Sequence, residues 1–130
     1  MDRYATTAKG FALRDLSNNK SRHAGTPTLI DALELDLPLL DRMYKEYEPG
    51  TAPANLESMA KVLKASDGFI VVSGEYNHGI PPALKNMLDH FLEEWLWRPS
   101  AIVCYSQGPF GGVRAAMQLR MTLAELGMPT

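Results

Sequence analysis

The chain has 130 residues, enough for one domain. Its 45% hydrophobic and 22% charged content is that of a globular domain, not of a disordered chain or a coiled coil. A formal net charge of −2 offers no basic footprint for nucleic acid. A single cysteine, Cys104, excludes an internal disulfide framework and a multi-cysteine metal site. No apolar run approaches the ~20 residues of a membrane helix. The start of the chain lacks the apolar core of a signal peptide, so a cytoplasmic protein is expected. No histidine pair has metal-ligand spacing, and no metal is expected.

Residues 1–130 read as a single domain, of which 1–27 is the least legible part. Tyr4, Ala8, Phe11 and Leu16 make only a loose helical stripe. The cluster 17–22, with Ser17, Lys20 and Arg22, is polar. From Thr28 the pattern sharpens. A short strand over 28–33 leads into the loop 36–41, and a tyrosine-rich stretch over 44–52 reads as a surface loop. A helix is expected from Pro53, with Leu56, Met59, Ala60 and Leu63 on one buried stripe. The apolar run 68–73 has the look of a strand covered on both faces. Pro81 and Pro82 open a second helix whose apolar positions are Leu84, Leu88, Phe91, Leu92 and Trp95. A second buried-type strand covers 101–105. The last helix carries Ala116, Leu119, Leu123 and Leu126 and stops at Gly127, a C-cap glycine.

Strands alternating with helices predict an α/β fold built on a doubly wound parallel sheet with helices on both faces. Ligands bind such sheets beyond the carboxyl ends of the strands. Two loops fall there, 74–79 and 106–112. In the first, Gly74 and Gly79 permit a tight turn and Tyr76 offers a flat aromatic face. Read from spacing alone, that loop is equally a plain strand-to-helix connection. The second loop is glycine-rich but lacks the Lys-Ser/Thr ending of a P-loop, which argues against a nucleotide triphosphate. Taken alone, it reads as a Gly-Pro turn before a helix.

The segment 67–90 carries Glu75-Tyr76-Asn77, then Ile80-Pro81, then Leu84-Lys85-Asn86. It resembles the NADPH-dependent FMN reductase family, which has a flavodoxin-like, three-layer fold. The loop 106–112 is similar to that family's second flavin-side loop, and 36–41 to the segment after its second strand. The likeness covers roughly 28–129. It implies FMN at the strand ends, with NADPH passing hydride through it to a quinone, flavin, azo compound or metal oxyanion. The flavin carries such chemistry, so no catalytic side chain is assigned. The resemblance implies that Gly74, Glu75, Tyr76, Asn77 and His78 line one side of the isoalloxazine, and Ser106, Gly108, Gly111 and Gly112 the other. It also implies a homodimer or homotetramer with a small-molecule electron acceptor as partner.

The chain departs from that family at both ends. No apolar strand is legible ahead of the 17–22 cluster, and the last strand and helix are absent. The sheet is therefore expected to be incomplete, without its first strand and phosphate loop. That sustains a second reading: a truncated, catalytically silent chain serving as an interaction or oligomerisation module. Among the remaining side chains, Cys104 is expected to be a buried, inert thiol and His23 to be exposed. His90 is expected at a surface or subunit contact, and Glu93 and Glu94 on a solvated face. Phe91, Trp95 and Trp97 are expected to form an aromatic cluster in the core or at a subunit interface.

Overall fold

The computed structural model describes residues 9–15 and 25–130, with residues 9–15, 25 and 26 described as backbone. Four strands form one sheet: β1 (Lys9–Asp15), β2 (Gly25–Asp31), β3 (Gly68–Gly74) and β4 (Ser100–Tyr105), in the order β2-β1-β3-β4. Three helices follow the later strands: α1 (Ala54–Lys64), α2 (Pro82–Asp89) and α3 (Val113–Glu125). The polar cluster at 17–22, His23, Tyr4, Ala8 and Leu16 lie outside the described residues.

The strand that the sequence hides is β1. It lies inside the sheet between β2 and β3, where the flavodoxin order 2-1-3-4-5 places strand 1. Its direction departs from the expected parallel sheet: it pairs antiparallel with both β2 and β3. The reason is chain length. Only positions 16–24 separate β1 from β2, and a parallel crossover needs about a dozen residues or more. β2, β3 and β4 share one direction, and β3 pairs with β4 in parallel register from Phe69↔Ser100 to Gly74↔Tyr105. The expected strand at 28–33 thus starts earlier, at Gly25, and ends at Asp31. Phe11, read as part of a helical stripe, is in β1.

Right-handed crossovers from β2 to β3 and from β3 to β4 advance the same way across the sheet, which sets α1 and α2 on one face. The burial pattern agrees. Phe69 and Val71 are buried in one cluster with Leu56, Leu63, Leu84, Leu88, Leu119 and Leu123 from all three helices. On the other face Ala101 and Val103 are exposed. The fold is flavodoxin-like, and the described residues supply two of its three layers.

The four stripe residues expected on α1 are all buried. On α3 the stripe is led by Ala115, with Ala116 only half-buried. α3 ends as expected: Gly127 has φ +70°, and the Met128 amide donates to the Leu123 carbonyl at 2.9 Å, which is the hydrogen-bond pattern of a Schellman cap. α2 is shorter than its hydrophobic pattern, stopping at Asp89. Tertiary hydrogen bonds take the carbonyls that a longer helix needs. The Trp95 indole Nε1 donates to the Leu88 carbonyl at 3.1 Å, and the Tyr44 amide to that of His90 at 2.7 Å.

Three side chains beyond α2 therefore sit other than expected. His90 is buried, its Nδ1 2.8 Å from the Asn86 carbonyl. Glu94 is buried and paired with Lys64 at 3.4 Å. Trp97, at φ +62°, is 85% exposed and takes no part in the aromatic core. That core is Phe91, Trp95 and Phe69, joined by Tyr44 from the 3-10 turn Tyr44–Glu46 in the expected surface loop.

Candidate functional site

Parallel pairing brings the carboxyl ends of β3 and β4 to the same edge of the sheet, and the two loops leave from there side by side. Between them lies a cleft of about 1150 Å³, somewhat above the ~300–1,000 Å³ that small-molecule sites occupy. Gly74, Glu75, Tyr76, Asn77 and His78 line one wall, and Ser106 and Gly108 belong to the other. Gly111 and Gly112 stand outside the lining. Five further residues line the cleft: Gln107, Pro109 and Phe110 from within the 106–112 loop, and Tyr105 and Arg114, which the sequence reading did not single out. All follow from where β4 ends and α3 begins, which strand-end placement alone could have suggested.

The first wall is a two-residue hairpin. The Gly79 amide donates to the Tyr76 carbonyl at 2.8 Å, and the Tyr76 amide to that of Gly79 at 3.0 Å. Asn77 and His78 have φ of +47° and +65°, the signs required at both central positions of a type I′ turn. Asparagine tolerates that region. Histidine does so at a cost, because its Cβ crowds the following carbonyl. The turn lifts Tyr76 to the cleft, where the residue is 42% exposed.

The second wall is held close by Gly112, the N-cap of α3, at φ +83°. A Cβ there would lie 3.0 Å from the backbone N and O of Tyr105. The Arg114 guanidinium stacks 4.6 Å from the Phe110 ring centre. The Tyr105 hydroxyl is pushed up in pKa by burial and then by Tyr76. Asn86, the last residue of the Leu-Lys-Asn motif, accepts from the Leu40 amide and donates to the Pro38 carbonyl, both at 2.9 Å. It ties the 36–41 loop to α2.

Cys104 lies half-buried behind this edge. Burial, then the Glu75 carboxylate, raises its thiol pKa. Less thiolate at neutral pH means a slow nucleophile. Iodoacetamide at pH 8 is expected to label Cys104 more slowly than an unperturbed thiol, with the rate recovering as pH rises. Labelling at the free-thiol rate in the folded chain would contradict this.

The cleft combines the aromatic rings of Tyr76, Tyr105 and Phe110 with glycine-rich backbone on both walls, the lining that a flat heteroaromatic ring requires. The fold and the cleft define a flavodoxin-like α/β domain with an open cleft at the strand ends. Residues 8–130 match the pattern of the NADPH-dependent FMN reductase family, and the chain belongs to it. It is 34% identical over 100 residues to a quinone reductase of Escherichia coli K12, covering 70% of this chain and 50% of that protein. It is 35% identical over 110 residues to an NAD(P)H-dependent FMN reductase of Saccharomyces cerevisiae, covering 77% and 54%. It is 31% identical over 128 residues to a 2-hydroxy-1,4-benzoquinone reductase of a Burkholderia species, covering 90% and 68%. The chain spans about half the length of the first two of these curated relatives.

Proposed function

We propose that this chain is the flavin-binding part of an FMN-dependent oxidoreductase that reduces a quinone at the expense of NADPH. The observation carrying the reading is the single cleft formed by both strand-end loops, with Tyr76 at its mouth. Bound FMN would supply the redox chemistry, accepting hydride from NADPH and giving it to the quinone, which takes one solvent proton to become the hydroquinone. The residues present fit the ring end of that cofactor. Tyr76 and Tyr105 offer aromatic surface, and the glycines at 74 and 108 allow close approach of backbone amides to ring carbonyls and nitrogens. Glu75, Asn77, His78 and Ser106 line the same space. Gly112 serves by letting the second loop pack tightly on β4, and Gly111 by taking the left-handed φ of +59° that the loop needs there.

Relatives named as quinone reductases support a quinone as acceptor. The proposal includes a cytoplasmic homodimer or homotetramer. The exposed stripe Val113, Met117 and Met121 on α3 supports association, since contiguous exposed apolar surface marks interfaces. Among the described residues no helix is long and apolar enough to cross a membrane.

Titration with FMN, followed by quenching of flavin fluorescence, tests the reading. Saturable binding at micromolar FMN and NADPH oxidation with a quinone acceptor are expected. Tyr76→Ala should weaken FMN about tenfold, the loss of one aromatic stacking contact. A chain that is folded by circular dichroism yet takes up no FMN would sink the proposal in favour of a silent interaction module.

A further inference from the structure

Two polar side chains join the cleft walls across α3, and neither role is written in the local sequence. The N-cap of α3 is Gly112, which has no side chain to offer and no room for one. The first turn of a helix nevertheless leaves amide donors without intrahelical partners. Glu75 fills that role from the other loop: its Oε2 accepts from the Arg114 amide at 2.9 Å and from the Ala115 amide at 3.0 Å. The carboxylate also sits at the positive end of the α3 dipole, which strengthens both bonds.

One turn further along α3, Gln118 reaches back to the hairpin. Its Nε2 donates to the His78 carbonyl at 3.1 Å, and its Oε1 accepts a longer bond from the Ile80 amide at 3.4 Å. A Cβ on Gly79 would lie 3.3 Å from that Oε1, so glycine there leaves the space the carboxamide uses. The turn so held has left-handed φ at Asn77 and His78, a conformation that persists only where its surroundings enforce it.

We propose that Glu75 and Gln118 are positioning residues that form one brace, locking the 74–79 turn to α3 so that the cleft is formed before any ligand arrives. Its role toward the cofactor rests on the flavin reading above; the brace itself is a property of the ligand-free chain. Preformed walls reduce the ordering cost of binding. Glu75 then acts on the flavin through the turn that carries Tyr76, in addition to lining the cleft.

The test has a ligand-free arm and an FMN arm. In the ligand-free chain, Glu75→Ala is expected to speed amide hydrogen exchange at Arg114 and Ala115 at least tenfold, and Gln118→Met to do so at Ile80. In the FMN arm, each variant should weaken FMN about tenfold and alter the visible circular dichroism of the bound flavin. Gln118 is exposed, so Gln118→Met should keep the melting temperature, which separates loss of the brace from loss of the fold. Glu75→Gln retains an acceptor oxygen and should restore affinity to within threefold. The effects of Glu75→Ala and Gln118→Met should be non-additive, as for parts of one device. Unchanged exchange at Arg114, Ala115 and Ile80 in the variants would overturn the proposal. So would normal exchange-rate responses with unchanged FMN affinity and dichroism. If the wild-type chain takes up no FMN while exchange responds as stated, the brace stands and the flavin reading falls.

Discussion

Gly112→Ala is expected to lower the free energy of unfolding by about 2–5 kcal/mol. Two costs add. A side chain at φ +83° pays roughly 1–2 kcal/mol for the left-handed conformation. The new Cβ also meets the backbone N and O of Tyr105 at 3.0 Å and the Cys104 Cβ at 3.1 Å. Backbone cannot rotate away as a side-chain tip does, and overpacking of this kind costs about 1–3 kcal/mol. Gly111→Ala is the control. Its φ is +59° with nothing within 4 Å of the added carbon, so it should lose only the conformational part. Urea denaturation of both variants measures the difference. Equal losses would mean that the close approach of the second loop to β4 contributes nothing.

Phe91→Ala is expected to cost about 3–5 kcal/mol, a large share of the ~5–15 kcal/mol that holds a typical domain together. Phe91 is fully buried. Its ring lies 5.6 Å from that of Tyr44 and 6.3 Å from that of Trp95, which packs edge-on against Phe69 at 4.9 Å. Truncation removes the member that links the 3-10 turn to the sheet, and the rigid neighbours cannot collapse into the space. Urea unfolding followed by tryptophan fluorescence reports the loss. A change below 1 kcal/mol would show that this cluster is not packed as described.

Much of the helical layer was legible because its signals are local. The stripe Leu56, Met59, Ala60 and Leu63 is buried as its spacing demands. Gly127 ends α3 because a left-handed residue is needed there, and glycine has no Cβ to object. The two site loops were legible for a topological reason: they follow two apolar runs, and parallel strands carry their carboxyl ends to one edge.

What stayed hidden has partners far away in the chain. β1 has low-propensity residues such as Gly10, Ala12 and Asp15, and exists by pairing on both sides with β2 and β3. Its antiparallel direction comes from the short connection to β2. The end of α2 is decided by Trp95 and Tyr44, which take carbonyls a longer helix would use. His90 and Glu94 look like surface residues until α1 and the 3-10 turn cover them.

By itself, then, the sequence determined the α/β class, the order of β2, α1, β3, α2, β4 and α3, and the pair of loops at the strand ends. Hydrophobic period and turn chemistry act over a few residues and can be read in place. Only the tertiary structure decided the inner strand β1, its direction, and the use of Glu75 and Gln118 to join the cleft walls. Those bonds span 38–40 residues, and a hydrogen bond across such a distance leaves no periodic trace in the chain that makes it.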